Sequence, residues 1–423
     1  MHQFINILIF LNIGISILFT ILFFYQFIYI FIPIFTKRKD VIQNIKNYRY
    51  AILIAARNEE AVIQNLIKSI LLGDYPRELI DIFVVADNCI DNTANLARKL
   101  GAFCYERQDK KNQGKGYALD FLLKKIFYEH SQKNFDAFIV FDADNLLAPN
   151  YITEMNKTFN EGHKVITSYR NSKNYSINWI SAGMSLWFLL ESQYMNRSRM
   201  LLKTGCLVSG TGFLISKEIV DKNDGWPFFL LTEDIEFSVH CAILNERIAY
   251  SEKAMFYDEQ PFTLKQSFRQ RIRWAKGFYQ VFLRYGLKLF KSIFIGSGFY
   301  SFDVLMKILP ARLFSSLGIL INIIILVFSQ IIAIYSYSLL NFVLFVMFYA
   351  YIILFIRGLI TIITEWHKIH CKNIFKITYL FTFPIFVFTY TPISLIALFS
   401  RTIWKPVAHT ENITIENLLN IKK

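Results

Sequence analysis

Two aspartates separated by one residue follow a run of apolar, β-forming residues in the middle of the chain. The segment from Ile139 to Asn145 reads Ile-Val-Phe-Asp-Ala-Asp-Asn, which places Asp142 and Asp144 at the end of a predicted strand. Alternate residues of a strand point to the same side, and two close carboxylates repel each other unless a cation neutralises them. Ligands that are all oxygen favour Mg²⁺ or Mn²⁺. The sequence therefore predicts a divalent-cation site here.

A second acidic pair, Glu233 and Asp234, begins a predicted helix. The pair has two interpretations: favourable charges at a helix N-terminus, or a general base for a hydroxyl group. Further on, Gln270, Arg273 and Trp274 share one helical face, being spaced i, i+3 and i+4. A surface amphipathic helix would explain this set, but the same residue types suit a diphosphate and a stacked sugar ring.

Polar residues also follow the two earlier predicted strands. Asp87 stands at a strand tip, where its carboxylate can accept hydrogen bonds from a base or a ribose. Asp91, four residues later, is explained equally well as a helix cap together with Thr93. Lys115 lies between Gly114 and Gly116 before a helical pattern, an arrangement that lets a phosphate approach the backbone and a helix N-terminus. The spacing is not that of a Walker A loop.

The elements that must position these residues alternate between strand and helix from about residue 48 to 260. The predicted order is strand Tyr50–Ala55, helix Glu60–Leu72, strand Ile80–Ala86, helix Thr93–Leu100 and strand Ala137–Phe141. Such alternation indicates βαβ units and a parallel sheet, whose ligands bind beyond the carboxyl ends of the strands. The candidate residues fall at those ends.

The composition indicates a membrane protein. The 423 residues are 54% hydrophobic, include 42 Phe, and have a mean hydropathy of +0.34. The net charge of +14 has its basic clusters beside hydrophobic runs, which favours an anionic membrane surface over nucleic acid as the partner. Five single cysteines without a Cys-x-x-Cys pair argue against a zinc site and against a disulfide framework.

The hydropathy pattern divides the chain into five parts. An uncharged run from residue 4 to 35 ends in Lys37-Arg-Lys39, which predicts one tilted, uncleaved transmembrane helix with its basic end in the cytoplasm. The predicted parts are an anchor (1–36), a cytosolic catalytic domain (48–262), amphipathic interfacial helices (263–310), three hydrophobic segments (311–402) and a tail (403–423).

The topology of the three C-terminal segments, about 312–335, 339–363 and 376–400, has two solutions. The uncharged loop Tyr335–Ser338 is expected outside and the basic loop Trp366–Lys376 inside, which places a multi-pass protein in the plasma membrane with a cytoplasmic catalytic domain. Three full crossings would leave Arg401 and the tail outside. Alternatively the last segment, with Pro384 and Pro392, is re-entrant and returns inside.

Taken together, the ordered motifs resemble the membrane-bound family 2 glycosyltransferases with a GT-A fold, such as cellulose, hyaluronan, chitin and poly-N-acetylglucosamine synthases. The resemblance covers about residues 48–280, and each motif alone is weak. The matching elements are Ala56-Arg-Asn-Glu59, Asp87 with Asp91, Gly114-Lys-Gly116, Asp142-Ala-Asp144, Thr232-Glu-Asp234, Gln-x-x-Arg-Trp at 270–274 and, more loosely, Gly210-Thr-Gly212. The implied fold is an α/β domain with a mixed, mostly parallel sheet and helices on both faces, joined to transmembrane and interfacial helices.

The resemblance also implies a role for each matching residue. Asp144, helped by Asp142, would bind Mg²⁺ or Mn²⁺, and Asp234, beside Glu233, would be the catalytic base. Asp87 would hold a uracil and Lys115 would lie near a diphosphate. The implied nucleotide-sugar-binding set is Ala56, Arg57, Glu59, Asp87, Lys115, Asp142, Gln270, Arg273 and Trp274.

The implied activity is inverting transfer of a sugar from a UDP-sugar to a growing β-linked polysaccharide at the membrane, with export of the product. Four hydrophobic segments are few for a polysaccharide channel, so export would need a homodimer or an accessory subunit. A glycolipid synthase, adding one sugar to diacylglycerol or another lipid, is the first alternative. A non-catalytic subunit that binds nucleotide-sugars is the second, and the intact acidic residues argue against it.

Overall fold

The structure is a computed structural model that describes residues 2–36, 45–310, 313, 318–325, 327, 336–401, 409 and 411–420. The predicted hydrophobic segment 312–335 lies largely outside the described residues, as does about half of the predicted tail 403–423.

Eight strands form one mixed sheet. They are β1 (Tyr50–Ala56), β2 (Ile80–Asp87), β3 (Phe103–Arg107), β4 (Ala137–Asp142), β5 (Leu146–Leu147), β6 (Val165–Ser172), β7 (Phe213–Ser216) and β8 (Ile248–Asp258). Their order is β3-β2-β1-β4-β7-β6-β8-β5. The β3-β2-β1-β4 half is parallel, as is the β6–β8 pair, whereas β7 runs antiparallel to both of its neighbours. The predicted mixed, mostly parallel sheet is confirmed.

Helices surround this sheet and continue beyond it. They are α1 (His2–Phe23), α2 (Tyr25–Phe35), α3 (Ile63–Leu71), α4 (Thr93–Lys99), α5 (Lys115–Glu129), α6 (Tyr151–Asn160), α7 (Trp179–Leu190), α8 (Arg197–Leu201), α9 (Lys217–Lys222), α10 (Glu233–Ile243), α11 (Leu264–Ile295), α12 (Phe299–Ile308), α13 (Ser336–Glu365), α14 (Asn373–Phe388), α15 (Tyr390–Phe399) and α16 (Ile415–Asn420). A π-helical turn, Glu191–Asn196, joins α7 to α8.

The sheet has a hydrophobic core on each face because side chains alternate along its strands. In β1, Ala51 and Leu53 belong to the core formed with α5 and α7, whereas Ile52 and Ile54 belong to the core formed with α3 and α6. Strands buried on both faces read as continuous apolar runs, as the central strands do here. The prediction of helices on both faces is confirmed.

Among the residues that the structure describes, three helical stretches are long and apolar enough to cross a membrane: Asn6–Phe35, Val343–Glu365 and Asn373–Phe399. The first contains α1 and α2 and continues through Phe24, which has helical dihedral angles (φ −56°, ψ −36°) and donates a 2.9 Å hydrogen bond to the Thr20 carbonyl. In α2, the hydroxyls of Tyr25 and Tyr29 donate hydrogen bonds of 2.8 and 2.9 Å to Asp303 of α12.

The last apolar stretch lies along the interfacial helix α11. The Arg271 guanidinium donates a 2.7 Å hydrogen bond to Thr389, at the junction of α14 and α15. Farther along α11, Lys276 and Tyr279 donate to the backbone carbonyls of Leu398 and Ser394. These contacts tie the full length of α15 to α11.

The described part of the tail returns to the sheet. Leu418 and Ile415 of α16 pack against Leu146 and Tyr257 at the β5 edge of the sheet. Helix α16 therefore lies beside the sheet.

Candidate active site

All the residues predicted for the site line one cavity of about 570 Å³ at the carboxyl ends of β1, β2 and β4. Parallel strands bring their carboxyl ends to a common edge, which explains why motifs that are far apart in the sequence meet there. The cavity also continues past the sheet to residues of α2, α12, α13 and α15.

Asp87 lies buried at the end of β2. Its Oδ1 accepts a hydrogen bond of 2.6 Å from Arg107 and one of 3.0 Å from the Asn88 amide. Burial raises the pKa of the Asp87 carboxyl, and the Arg107 guanidinium opposes that rise. Arg57, on the adjoining turn, donates a 3.2 Å hydrogen bond to Gln113. The Asp87 carboxylate, fixed by these hydrogen bonds, and the Arg57 guanidinium thus both line the cavity.

Asp91, which matched the family pattern, does not line the cavity. Its Oδ1 accepts hydrogen bonds from the Thr93 amide (3.1 Å) and hydroxyl (2.6 Å), and its Oδ2 accepts one from the Glu60 amide (3.1 Å). The carboxylate thus joins the two turns that follow β1 and β2. Of the two interpretations offered for Asp91, this geometry favours the structural one.

Lys115, at the first turn of α5, forms an ion pair with Asp142 and donates a 2.7 Å hydrogen bond to the Gly210 carbonyl. Gly114 before it has φ = 134°, and a Cβ at Gly116 would lie 2.0 Å from the Phe228 carbonyl oxygen. Gly114 is therefore needed for its backbone conformation, and Gly116 is needed because a side chain would clash with the Phe228 carbonyl. Together they place the ammonium of Lys115 inside the cavity.

The two aspartates of the Asp-Ala-Asp segment have different environments. Asp142 is half-buried and faces Lys115, whereas Asp144 is buried and accepts a 2.9 Å hydrogen bond from the Glu259 amide. Burial opposes ionisation of Asp144, yet the positive charges of His409 and Lys173 hold its pKa below the usual value. Asp144 is therefore ionised, and it lies close to a second carboxylate, that of Asp142.

This pair fits the hard, oxygen-seeking ions Mg²⁺ and Mn²⁺. Within the described ranges no cluster of three or more His, Cys, Asp or Glu side chains could hold a metal alone.

Glu233 and Asp234 start α10 opposite Lys115. Burial and the charge of Asp234 raise the pKa of Glu233 to about 7, and burial also raises the pKa of Asp234. Asp234 is half-buried, and a Cβ at Gly210 would lie 3.8 Å from its Oδ2. Gly210 has φ = 84°, a conformation that favours glycine. Asp234 and Gly210 both line the cavity, so the carboxylate is open to a ligand bound there.

The face of α11 that carries Gln270, Arg273 and Trp274 covers the cavity, as its spacing predicts. Arg273 donates a 3.1 Å hydrogen bond to the Leu231 carbonyl, which fixes α11 over the acidic pair. Trp274 packs edge-on against Phe188 with ring centroids 6.2 Å apart. The Oε1 atom of Gln270 is buried and accepts no hydrogen bond from any described residue.

Several residues that line the cavity belong to no motif, and we did not predict them from the sequence. Arg170 bonds Asp258 and also donates 3.0 Å to the Ser209 carbonyl, while its guanidinium lies 3.6 Å over the Phe188 ring. His409 comes from the tail, and its Nδ1 lies 3.0 Å from both carboxylate oxygens of Glu59. The partners in these contacts are tens to hundreds of residues apart in the sequence, so the spacing of residues within a motif could not predict them.

A mixed sheet with carboxylates at its strand ends, covered by a basic and aromatic helix, agrees with the GT-A glycosyltransferase fold that the motifs predict. The sequence model of the family described as "Glycosyltransferase like family 2" matches residues 48–277. The chain belongs to this family.

Similar proteins agree with that assignment. YdaM of Bacillus subtilis (strain 168), a probable glycosyltransferase, is 26% identical over 275 residues, which are 59% of this chain and 60% of that protein. The chain therefore matches less than two thirds of the length of this relative. The poly-β-1,6-N-acetyl-D-glucosamine synthase of Staphylococcus aureus (strain COL) is 27% identical over 288 residues, 67% of each chain.

One solved structure is similar over most of the chain. The mannosyltransferase PcManGT from Pyrobaculum calidifontis, solved with GDP-Man and Mn²⁺, superposes with a TM-score of 0.58 at 14% identity. The match covers 92% of this chain and 99% of that one. At this identity the likeness concerns the fold.

Proposed function

We propose that the chain is an inverting glycosyltransferase that moves a sugar from a UDP-sugar to a growing β-linked polysaccharide at the membrane. The observation that supports this most directly is the single cavity: it joins the Asp87 end, the Asp142–Asp144 pair, the Asp234 carboxylate and the membrane-side helices. Asp234 thus lines the same cavity as the residues proposed to bind the donor.

In this proposal Arg57 and Asp87 hold the nucleoside, and Lys115 and Arg273 bind the diphosphate. Gln270 accepts a hydrogen bond from the donor or acceptor through its free Oε1, and Trp274 provides a surface for a sugar ring. Ala56 and Glu59 shape the turn beneath the nucleotide.

The reaction needs no covalent intermediate. Asp234 takes the proton of the acceptor hydroxyl, whose oxygen forms a bond to the anomeric carbon from the side opposite the diphosphate. The bond from that carbon to the diphosphate oxygen breaks, and UDP leaves with its electron pair. Lys115 and Arg273 stabilise the negative charge that develops on the diphosphate. Glu233, which shares a buried site with Asp234, adjusts the basicity of the pair.

Asp144, with Asp142, would hold Mg²⁺ or Mn²⁺. The ion would supply further positive charge to the diphosphate. PcManGT was solved with Mn²⁺, which is consistent with a divalent ion in this fold.

For the membrane topology, we favour a cytoplasmic catalytic domain. The last apolar stretch is then re-entrant, because α15 lies along α11 and the tail returns to the sheet. The N-terminal anchor and one hairpin, predicted segment 312–335 with α13, make the crossings.

A glycolipid synthase is the second candidate. It is favoured by the apolar residues Phe23, Ile308, Leu309 and Pro310, which line the membrane-side part of the cavity. An acyl or prenyl chain could enter between them.

Incubation of purified membranes with a panel of UDP-sugars and GDP-sugars tests the proposal. We expect UDP release with one UDP-sugar and a long, radiolabelled polymer. A chloroform-soluble product would instead support the glycolipid synthase. Donor binding without turnover would support the non-catalytic subunit, and release of GDP alone would contradict the assignment of the donor.

A further inference from the structure

A third carboxylate follows the acidic pair in α10 but lies outside the lining of the cavity. Glu236 belongs to the first turn of α10, two residues after Asp234, and its side chain is fully buried. Successive residues of an α-helix are about 100° apart around its axis, so Glu236 points roughly to the opposite side from Asp234. A buried carboxylate is costly unless it is hydrogen-bonded, and its partners therefore indicate what it does.

Both oxygens of the Glu236 carboxylate accept hydrogen bonds from other parts of the domain. Oε2 accepts from the backbone amides of Phe229 and Leu230, at 3.0 and 2.9 Å. Oε1 accepts a 2.8 Å hydrogen bond from the hydroxyl of Tyr285 in α11, and the guanidinium of Arg284 lies 3.5 Å from the same atom. Hydrogen bonds to an ionised group are the strong ones. Glu236 thus joins the residues that precede α10 to α11.

The segment 228–232, which leads into α10, contains neither helix nor strand, so neighbouring elements must fix it. Besides the two amides already named, the Leu231 amide donates to the side chain of Gln280 in α11 at 3.4 Å. On the other side, the ring of Phe229 stacks on Tyr117 of α5, with centroids 4.5 Å apart and 15° between the ring planes. The segment that leads into the acidic pair is therefore held between α5 and α11.

The same two helices carry the residues that we propose to bind the diphosphate of the donor. Helix α5 begins at Lys115, and α11 carries Arg273, whose guanidinium also donates a 3.1 Å hydrogen bond to the Leu231 carbonyl. The position of the segment 228–232 relative to α11 therefore sets the distance between the Asp234 carboxylate and a bound donor. A displacement of about 1 Å in such a site is enough to lower the rate by about a hundredfold.

We propose that Glu236 is a positioning residue for the reaction. Through the backbone of the segment 228–232 and the hydroxyl of Tyr285, it holds Asp234 at its working distance from α11. The inference rests on the proposed function in taking Asp234 as the base. Glu236 itself neither touches the substrate nor exchanges a proton with it, and Tyr285 is the contact through which α11 shares this role.

The rate of UDP release per UDP-binding site tests this role in the full chain. Calorimetric titration with UDP counts the chains that are folded, so a variant that only unfolds loses sites but keeps its rate per site. Glu236→Ala removes both connections, and its kcat per site should fall by about tenfold to a hundredfold while its affinity for UDP stays unchanged. A wild-type kcat per site in Glu236→Ala overturns the proposal.

Milder variants locate the effect. Tyr285→Phe leaves the backbone hydrogen bonds of the segment in place and breaks only the one to α11, so kcat per site should fall by about threefold to tenfold. Glu236→Gln should keep most of the rate, since its amide oxygen accepts from the two backbone amides and its amide nitrogen donates to the Tyr285 hydroxyl. Tyr128→Phe, at an exposed tyrosine of α5, is the matched control and should change nothing. An unchanged rate in Tyr285→Phe overturns the connection to α11.

The double variant shows whether the two residues act together. If the Tyr285 hydroxyl acts only through Glu236, adding Tyr285→Phe to Glu236→Ala causes no further loss, whereas losses that multiply overturn the proposal. Asp234→Asn separates this inference from the proposed function. Wild-type turnover in Asp234→Asn contradicts the proposed function and this inference with it. Loss of turnover in Asp234→Asn together with full activity of Glu236→Ala overturns this inference alone.

Discussion

Asp234 is the residue on which the proposed chemistry depends most. Its carboxylate lines the cavity together with Arg57 and Asp87, which we propose to bind the donor. Asp234→Asn keeps the shape of the side chain but removes the proton acceptor. We expect transfer to fall by about a hundredfold to ten-thousandfold, because that is the usual contribution of a general base.

The rate of UDP release with the preferred donor measures the loss, and calorimetric titration with UDP checks that donor binding is retained. Ser209→Ala, one residue before Gly210, serves as a control for disturbance of this loop. The substitution keeps the Ser209 backbone carbonyl, which accepts the hydrogen bond from Arg170. Wild-type turnover in Asp234→Asn would remove this residue as the base.

The acidic pair also predicts how the rate depends on pH. A base works only when ionised, and burial raises the pKa of the Asp234 carboxyl above its usual value. The rate of transfer should therefore fall as the pH decreases through that raised pKa and reach a plateau above it. The midpoint is measured from kcat/KM against pH at constant ionic strength.

Glu233→Gln tests the origin of that midpoint. The pKa of Glu233, about 7, keeps this residue protonated while Asp234 ionises, so a neutral glutamine should leave the midpoint unchanged. A midpoint that moves to lower pH would show that the charge of Glu233 controls the profile.

At the scale of elements, the site depends on how closely α11 approaches α10. A Cβ at Gly277 would lie 2.5 Å from Cγ2 of Thr232, the residue before the acidic pair. Gly277 is thus one point at which the helix carrying Gln270 and Trp274 contacts the start of α10, the helix that carries Asp234. The glycine sets the distance between these two parts of the site.

Gly277→Ala should therefore lower transfer, by up to about a hundredfold if it moves the acidic pair by about 1 Å. Alanine is the better helix former, so a loss cannot come from helix propensity. Gly14→Ala in α1, where a Cβ would meet nothing within 4 Å, is the control and should be neutral. Wild-type kinetics of Gly277→Ala would show that the contact has no influence on the site.

The elements also show what could and could not be predicted from the sequence. Strand periodicity and short motifs placed β1, β2 and β4 and the residues at their ends, because local spacing determines both. Arg107 and Arg271 carry no motif: one pairs with Asp87 across neighbouring strands, and the other bonds Thr389, 118 residues away. Such partners depend on tertiary packing, which no spacing within one segment reveals.

At the scale of the whole molecule, the tail links the C-terminus to the active site. His409 reaches Glu59, and the charges of Asp144 and Glu59 raise the pKa of His409 to about 10 although burial opposes this. The imidazole is therefore cationic at neutral pH. It offsets the negative charge of the cavity, and α16 keeps it there by packing on the sheet edge. The tail and the catalytic domain must then share one side of the membrane.

Protease access to terminal tags tests this topology. A C-terminal tag should be cleaved in inverted membrane vesicles and protected in intact spheroplasts, because residues 411–420 pack on the sheet, which the proposed topology places in the cytoplasm. An N-terminal tag, preceding a helix whose basic end is predicted inside, should show the opposite pattern and so verifies the orientation of the vesicles. Cleavage of the C-terminal tag in intact spheroplasts would mean that the last apolar stretch crosses the membrane fully. The tail could not then contact Glu59, and the position of His409 in the cavity would have to be abandoned with it.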